Sequence, residues 1–296
     1  MDGAALKVFE AVARTGGMNR AAAALHTVQS NVTARIQALE AELGCPLFKR
    51  HSRGVALTEA GQRLLPYAQR MTRLLADAAR AVRDDGTPSG TLTIGTLETT
   101  AALRLSPFLA GYTAACPRVD LALRPGTTAE LIEAVLEQRV EGAFVCGPVT
   151  HPELTEEAMF EEELAILAAP AVTSLDAAIA GHARIVVLRA GCSYRQRLEA
   201  LLMRRGVTVM RLMEFGTLEA IFGCVSIGLG ITLLPRALIG PVWRAGRVSV
   251  HRLASTDALV QTVFIRRREA HVSSALREFL AHARASLETT LAQASA

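Results

Sequence analysis

Hydrophobic residues recur at helical spacing from the start of the chain. Leu6, Phe9, Val12 and Ala13 share one face, predicting an amphipathic helix over residues 4–14 that Thr15-Gly16-Gly17 ends. Asn19 is placed to cap a second helix, built on an alanine run at 21–24 that permits close helix packing. The pattern breaks at His26-Thr27. It resumes at Val28, Val32, Ile36, Leu39 and Leu43, the apolar face of a third helix with Thr27 as its N-cap and Gly44 as its stop. Leu47-Phe48 and Val55/Leu57 read as two short strands around a basic tip at 49–53. Thr58 caps a long helix from 59 to about 82. Leu64, Leu65, Ala68, Met71, Leu74, Leu75, Ala78 and Val82 give it more apolar face than a small domain covers, so a helix–helix dimer contact is expected. Pro66 is expected to bend it, and residues 84–90 form a compact linker.

Beyond the linker, strands and helices alternate. Strands are predicted at 92–95, 119–123, 143–146, 164–168, 185–188, 209–213, 231–233 and 260–265. Helices fall at about 101–113, 128–137, 194–204, 218–227 and 272–282. The whole chain is α/β, a mainly helical N-terminal module followed by α/β domains with mostly parallel sheets.

The polar face of the third helix changes this picture from fold to function. A short helix bracing one whose first turns are polar is the arrangement that enters the major groove of DNA. Gln29, Ser30, Asn31, Thr33 and Arg35 lie on or beside that face, next to Thr27. Gln and Asn can bond two edge groups of adenine and Arg those of guanine, while Ser and Thr hold phosphates. An ordinary solvated helix face is the bland alternative. Charge favours the first reading: residues 1–83 hold 12 Lys or Arg against 6 Asp or Glu, whereas the remainder holds 20 against 22.

Other chemistry is thin. The five cysteines (45, 116, 146, 192 and 224) lack paired spacing, which argues against structural disulfides and a zinc cluster. No HxH, HExxH, GxSxG or phosphate-loop motif occurs, so no metal, cofactor or catalytic residue is assigned and an enzyme is not expected. Glu156, Glu157, Glu161, Glu162 and Glu163 read as an acidic surface crossover. The apolar stretch at 221–234 is too short to span a bilayer. With no basic-then-apolar start, the chain is expected to be cytoplasmic.

The N-terminal residues resemble the winged helix-turn-helix domain of LysR-type transcriptional regulators. The match runs in register through Leu6, Phe9, Gly16-Gly17, Ala21-Ala22, Leu25, Gln29-Ser30, Val32-Thr33, Ile36, Leu39-Glu40 and Leu43-Gly44. It continues through Leu47-Phe48-Lys49-Arg50, Leu57-Thr58 and Ala60-Gly61. Many members carry proline where this chain has Ser30, and serine also suits a helix's first turn. The resemblance places Gln29, Ser30, Thr33 and Arg35 on the DNA-facing helix, Arg50 and Arg53 in the wing, and Thr58 at a phosphate-facing helix start. It extends more loosely over 91–290, best at 228–235.

What the resemblance implies is a periplasmic-binding-protein-like regulatory domain of two α/β subdomains, crossed by two strands, with a small-molecule effector in the cleft. The divisions are then 1–58 for the winged domain, 59–83 for the dimer helix, 84–90 for the hinge and 91–296 for the effector domain. Within the last, subdomain I covers about 91–161 and 266–296, and subdomain II about 162–265. Corresponding cleft residues are Glu98, Thr99, Thr100, Thr127, Thr128 and Cys146, faced by Cys192, Ser193, Tyr194, Arg195, Phe215, Gly216 and Thr217. Hydroxyls at strand-to-helix junctions suit a carboxylate, with Arg195 adding charge, although each can equally cap its own helix. The expected effector is a small, anionic organic molecule. Cys146 and Cys192 admit thiol sensing as an alternative trigger. The expected partners are promoter DNA, a second copy in a dimer, a pair of dimers as a tetramer, and RNA polymerase. The rival from another class is a ligand-binding or enzymatic α/β protein whose first module only dimerises.

Overall fold

The computed structural model describes residues 1–51, 54–179, 184–207, 210–240, 244 and 246–294. Two compact units divide the chain, residues 1–84 and 85–296.

In the first unit, α1 (Gly3–Thr15), α2 (Met18–Ala24) and α3 (Gln29–Leu43) precede a hairpin of β1 (Phe48–His51) and β2 (Gly54–Leu57), then α4 (Glu59–Arg83). Leu6, Phe9 and Val12 of α1 pack on Val32, Ile36 and Leu39 of α3, with the Phe9 and Phe48 rings 5.2 Å apart. Asp2 caps α1, and Gly16 closes it in the left-handed region at φ 68°. Gly61 is required by packing: a Cβ there would lie 2.3 Å from the Leu47 carbonyl oxygen. Helix α4 runs unbroken through Pro66, which lies near its start.

Three expectations change. The α3 N-cap is Val28, without a side-chain bond, and Thr27 stands one residue outside. Val28 is 65% exposed and Leu43 39%, so the buried face of α3 is only Val32, Ile36 and Leu39. Helix α2 has Gly17 at its N-cap rather than Asn19.

The second unit opens with β3 (Gly90–Thr96). One helical run follows: α5 (Glu98–Thr100), a π-helical turn (Ala101–Leu105) and α6 (Ser106–Ala115). Next come β4 (Val119–Pro125), α7 (Thr128–Leu136), β5 (Gly142–Cys146), β6 (Leu154–Ala168), α8 (Leu175–Ile179), β7 (Arg184–Leu188) and α9 (Ser193–Arg204). The rest is β8 (Arg211–Phe215), α10 (Leu218–Ser226), β9 (Thr232–Pro235), β10 (Ser249–Arg252), α11 (Ser255–Ala258), β11 (Leu259–Arg267) and α12 (Ser274–Ala294).

The main sheet runs β10-β6-β11-β5-β3-β4, with β9 also on β6. Among the described strands β3–β4, β3–β5 and β7–β8 pair in parallel, and the β6 pairings are antiparallel, so the sheets are mixed rather than mostly parallel. Strand β6 explains why. Residues 154–163 run along β11 with a bulge at Met159, and the last five pair with β9 or β10, so it carries the chain from one lobe to the other. The acidic cluster is therefore part of a long strand, not a surface crossover: Glu162 is buried and pairs with Arg104 at 2.7 Å. Strand β11 pairs with β5 over residues 262–265 and with β6 along its whole length. An aromatic cluster including Phe108, Tyr112, Phe144, Phe264 and Phe279 fills one side of the first lobe. A larger apolar cluster runs from α7 into the second lobe.

Candidate functional site

Helix α3 is presented by a tight corner. The Thr27 amide bonds the Ala22 carbonyl and the His26 amide that of Ala23, with His26 in the left-handed region at φ 52°. Gln29, Ser30, Asn31 and Arg35 are exposed, and no side chain caps the helix. Its first amides therefore remain open to an anion. The Asn31 amide donates to Thr27 Oγ1 at 3.0 Å, so these two residues brace each other. Thr33 is half-buried, and its hydroxyl has no partner among the described residues.

The wing is tied to this helix. Glu40 Oε1 accepts from the amides of Leu47 at 2.7 Å and Phe48 at 3.2 Å, and the Val55 amide donates to the Gly16 carbonyl. Glu40 carries no functional signal in the sequence beyond its place in the family match. Arg50 lies in β1 opposite Val55, and Arg53 lies outside the described residues. Thr58 departs from its expected role. It is buried, its hydroxyl donates to the Pro46 carbonyl and accepts from the Gly61 amide, and so it serves the α4 start rather than a phosphate.

In the second unit, the expected effector residues divide between two cavities. The first, about 300 Å³, gathers Glu98, Thr99, Thr127, Cys192, Tyr194, Gly216 and Thr217. The lobes bond directly across it: Thr99 Oγ1 to the Tyr194 hydroxyl at 3.3 Å, and the Leu218 amide to Glu98 Oε1 at 3.3 Å. Burial raises the Glu98 carboxyl above its ordinary range, with the Leu218 amide opposing. Thr127 forms a capping box with Glu130, and a Cβ on Gly191 would meet Thr127 Oγ1 at 2.8 Å, so glycine permits the close approach.

The second cavity, about 500 Å³, takes Thr128, Cys146 and Ser193. Thr100 is buried and lines neither, and Phe215 packs into the core beside them. Arg195 is a correction. Its guanidinium bonds Glu199 at 2.9 Å and Glu214 at 2.7 Å, and it lines neither cavity. The cavities' arginines are Arg189, paired with Glu130 at 3.2 Å, and Arg197. In the sequence, Arg197 is legible as the i+4 neighbour of Ser193, and Arg189 as the residue after a predicted strand. Burial raises both the Cys146 and the Cys192 thiols, against the helix-start effect that would favour a thiolate. Among the described residues, no group of three or more metal-ligating side chains is found and no helix is long and apolar enough to cross a membrane.

A DNA-reading helix with a tied wing, followed by a two-lobed domain with cavities at the lobe boundary, defines a ligand-controlled DNA-binding regulator. The family model described as "LysR substrate binding domain" matches residues 85–288, and that described as "Bacterial regulatory helix-turn-helix protein, lysR family" matches residues 4–62. The chain belongs to the LysR family of transcriptional regulators. It is similar to the HTH-type transcriptional regulator GltR of Bacillus subtilis (strain 168), at 43% identity over 94% of this chain and 95% of the relative. It is also similar to the HTH-type transcriptional regulator CzcR of Bacillus anthracis, at 38% identity over 93% and 94%. Full-length CbnR in complex with its target DNA shares the fold at a TM-score of 0.66 and 24% identity, covering 97% of this chain and 100% of that one. A full-length OxyR variant from Pseudomonas aeruginosa does so at 0.69 and 19%, covering 97% and 95%. The protein is a DNA-binding transcriptional regulator with an effector-binding domain, and its relatives are regulators rather than enzymes.

Proposed function

We propose that the first cavity is the effector seat, and that its ligand is a small organic acid carrying a hydrogen-bond donor, such as an amino or hydroxy acid. The observation that carries this is the presence of opposite groups around one cavity: Glu98 of the first lobe accepts and Arg189 of the second donates, with hydroxyls of Thr99, Thr127, Tyr194 and Thr217 around them. A purely anionic ligand leaves Glu98 facing its charge. A ligand with a donor exchanges the Leu218–Glu98 and Thr99–Tyr194 bonds for its own, and so biases the two lobes. In the DNA complex, α3 enters the major groove with Gln29, Ser30 and Arg35 towards base edges and phosphates. The test is fluorescence anisotropy of the full chain on promoter DNA, titrated with a panel of amino, hydroxy and simple carboxylic acids. At least one amino or hydroxy acid should shift the binding curve, and Arg189→Met should remove the shift while leaving ligand-free DNA binding intact. A shift produced equally by simple carboxylates, or retained in Arg189→Met, refutes the assignment.

Dimerisation through α4 is part of the same proposal. Tyr67, Met71, Leu74, Leu75 and Val82 are exposed on it, Val82 at 88%, an apolar face suited to a second copy. Pairing of dimers into a tetramer and contact with RNA polymerase complete the reading. Light scattering of the full chain should report a dimer or tetramer, and Leu74→Glu with Leu75→Glu should reduce it to monomers that no longer hold a two-half-site duplex.

A further inference from the structure

Helix α2 carries an arginine that belongs to neither the recognition helix nor the wing. Arg20 is exposed, yet its guanidinium is held in place: Nε donates at 2.6 Å to the Thr15 carbonyl, left without a helical partner at the end of α1. Nη2 then lies against the Gly16-Gly17 turn and the first residue of β2. A Cβ built on Gly16 would stand 3.1 Å from Nη2, one on Gly17 3.4 Å and one on Gly54 3.8 Å. Gly54 approaches so closely that a Cβ there would meet the Gly16 carbonyl oxygen at 2.5 Å. The same carbonyl accepts from the Val55 amide at 3.1 Å. Arg20 therefore stands where α1, α2 and the wing converge.

The Thr15 bond takes one of the five guanidinium N–H groups, and among the described residues no carboxylate pairs with Arg20. Arg80 and Arg63 of the same unit do have acidic neighbours, Asp77 and Glu59. Three glycines around Nη2 leave no side chain to keep another molecule's backbone away. In a helix-turn-helix the helix before the recognition helix crosses the phosphate backbone, and α2 occupies that place. The planar fork of a guanidinium matches phosphate oxygens, and a side chain already fixed loses less freedom on binding. We infer that Arg20 is a phosphate-binding residue of the DNA interface, gripping the backbone beside the wing. The inference rests on the placement of α3 in the major groove proposed above.

Fluorescence anisotropy of the full chain at several salt concentrations tests this, on a mixed-sequence duplex and on a duplex selected from a random library for tight binding. Arg20→Gln should weaken binding to both duplexes alike, about tenfold for each copy of the chain bound, the scale of one charge-assisted hydrogen bond. The slope of log affinity against log salt should become shallower by about 1 for each copy. Arg20→Lys keeps the charge and should keep the slope. Arg83→Gln makes the same change in net charge at the far end of α4 and should leave the slope of the parent. A residue that only caps α1 gives a lowered melting temperature with an unaltered slope, and that result overturns the inference. So does a loss confined to the selected duplex, or an equal change of slope in Arg83→Gln. If the placement of α3 is what fails, Arg35→Ala binds both duplexes as the parent does, while the slope of Arg20→Gln is read independently.

Discussion

The two units differ in how they hold their working side chains with respect to solvent. In the first, the polar residues proposed to meet DNA stand in solvent on one face of α3, and the helix's buried side is reduced to Val32, Ile36 and Leu39. In the second, the working residues are drawn inward: Thr99, Thr127, Thr128, Cys146, Cys192 and Tyr194 are all buried. An exposed reading head meets a ligand whose charge and shape are constant, so specificity lies in side-chain type at fixed helical spacing. A cleft selects its ligand by what burial does to each group. The same residue type then carries different weight in the two places, and the perturbations below separate them.

The largest effect is expected from the core that holds the reading head. Phe9 is fully buried against Phe48. Phe9→Ala should cost about 3–5 kcal/mol and abolish DNA binding. Because the units are separately compact, calorimetry should show the transition of residues 1–84 lowered and that of 85–296 unmoved. Equal shifts in both would show one cooperative body.

Next is the pair of half-buried Arg104 and buried Glu162. Arg104 comes from the π-helical turn that follows the cleft residues, stacks on Phe160 and reaches β6 where it passes between lobes. Glu162→Gln leaves the half-buried guanidinium without its counter-charge, at a cost of at most about 3 kcal/mol, the lower end for a buried pair. The double variant Arg104→Met with Glu162→Leu should recover much of it. Chemical denaturation monitored on the second unit reads both. If the double variant is as unstable as the single one, the pair is not the source of the loss.

How far each unit is legible in the sequence follows from the same contrast. The first unit's elements rest on local periodicity, and α1, α3 and α4 fall within a residue or two of the pattern, whereas β1 runs three residues further than the Leu47-Phe48 strand, through the expected tip to His51. Misreadings there are local too: a cap shifted from Thr27 to Val28, and Thr58 turned inward because Pro46 and Gly61 supply its partners. Most of the second unit's strands are legible one by one, but β10 is not, and of β6 only 164–168 is, because its glutamates read as solvent when their arginine partners lie far away in sequence, Arg104 before it and Arg236, Arg252 and Arg284 after it. For the same reason the sequence favours Arg195 over Arg189 and Arg197. Proximity in sequence to the cleft is visible there; capture of Arg195 by Glu214, from another element, is not.

On the reading head the expected changes are smaller. Arg35→Ala should lose about 1–3 kcal/mol of discrimination if the guanidinium reads a guanine. If it meets a phosphate instead, specific and random duplexes weaken alike and the salt slope falls by about 1. Titrations of both duplexes at several salt concentrations distinguish these outcomes, and unaltered binding to both removes Arg35 from the interface.

The smallest effect is the most specific to the cleft. Burial raises the Glu98 carboxyl above its ordinary 4.5, and the Leu218 amide only partly offsets this. The folded protein therefore holds a proton at pH values where the unfolded chain has released it, and the slope of stability with pH is negative across that window. Above the raised value the carboxylate is charged in both states and its desolvation penalty is fully present. Below 4.5 both states are protonated and the penalty is gone. Glu98→Gln mimics the protonated group and still accepts from the Leu218 amide. The variant should melt slightly higher than the parent at pH 7, and the gap should close as the pH falls through the raised value towards 4.5. Melting curves of the second unit across that range measure it. A gap that widens on acidification would mean that the buried carboxylate is stabilised overall, and that the cleft already supplies the donor the effector is expected to bring.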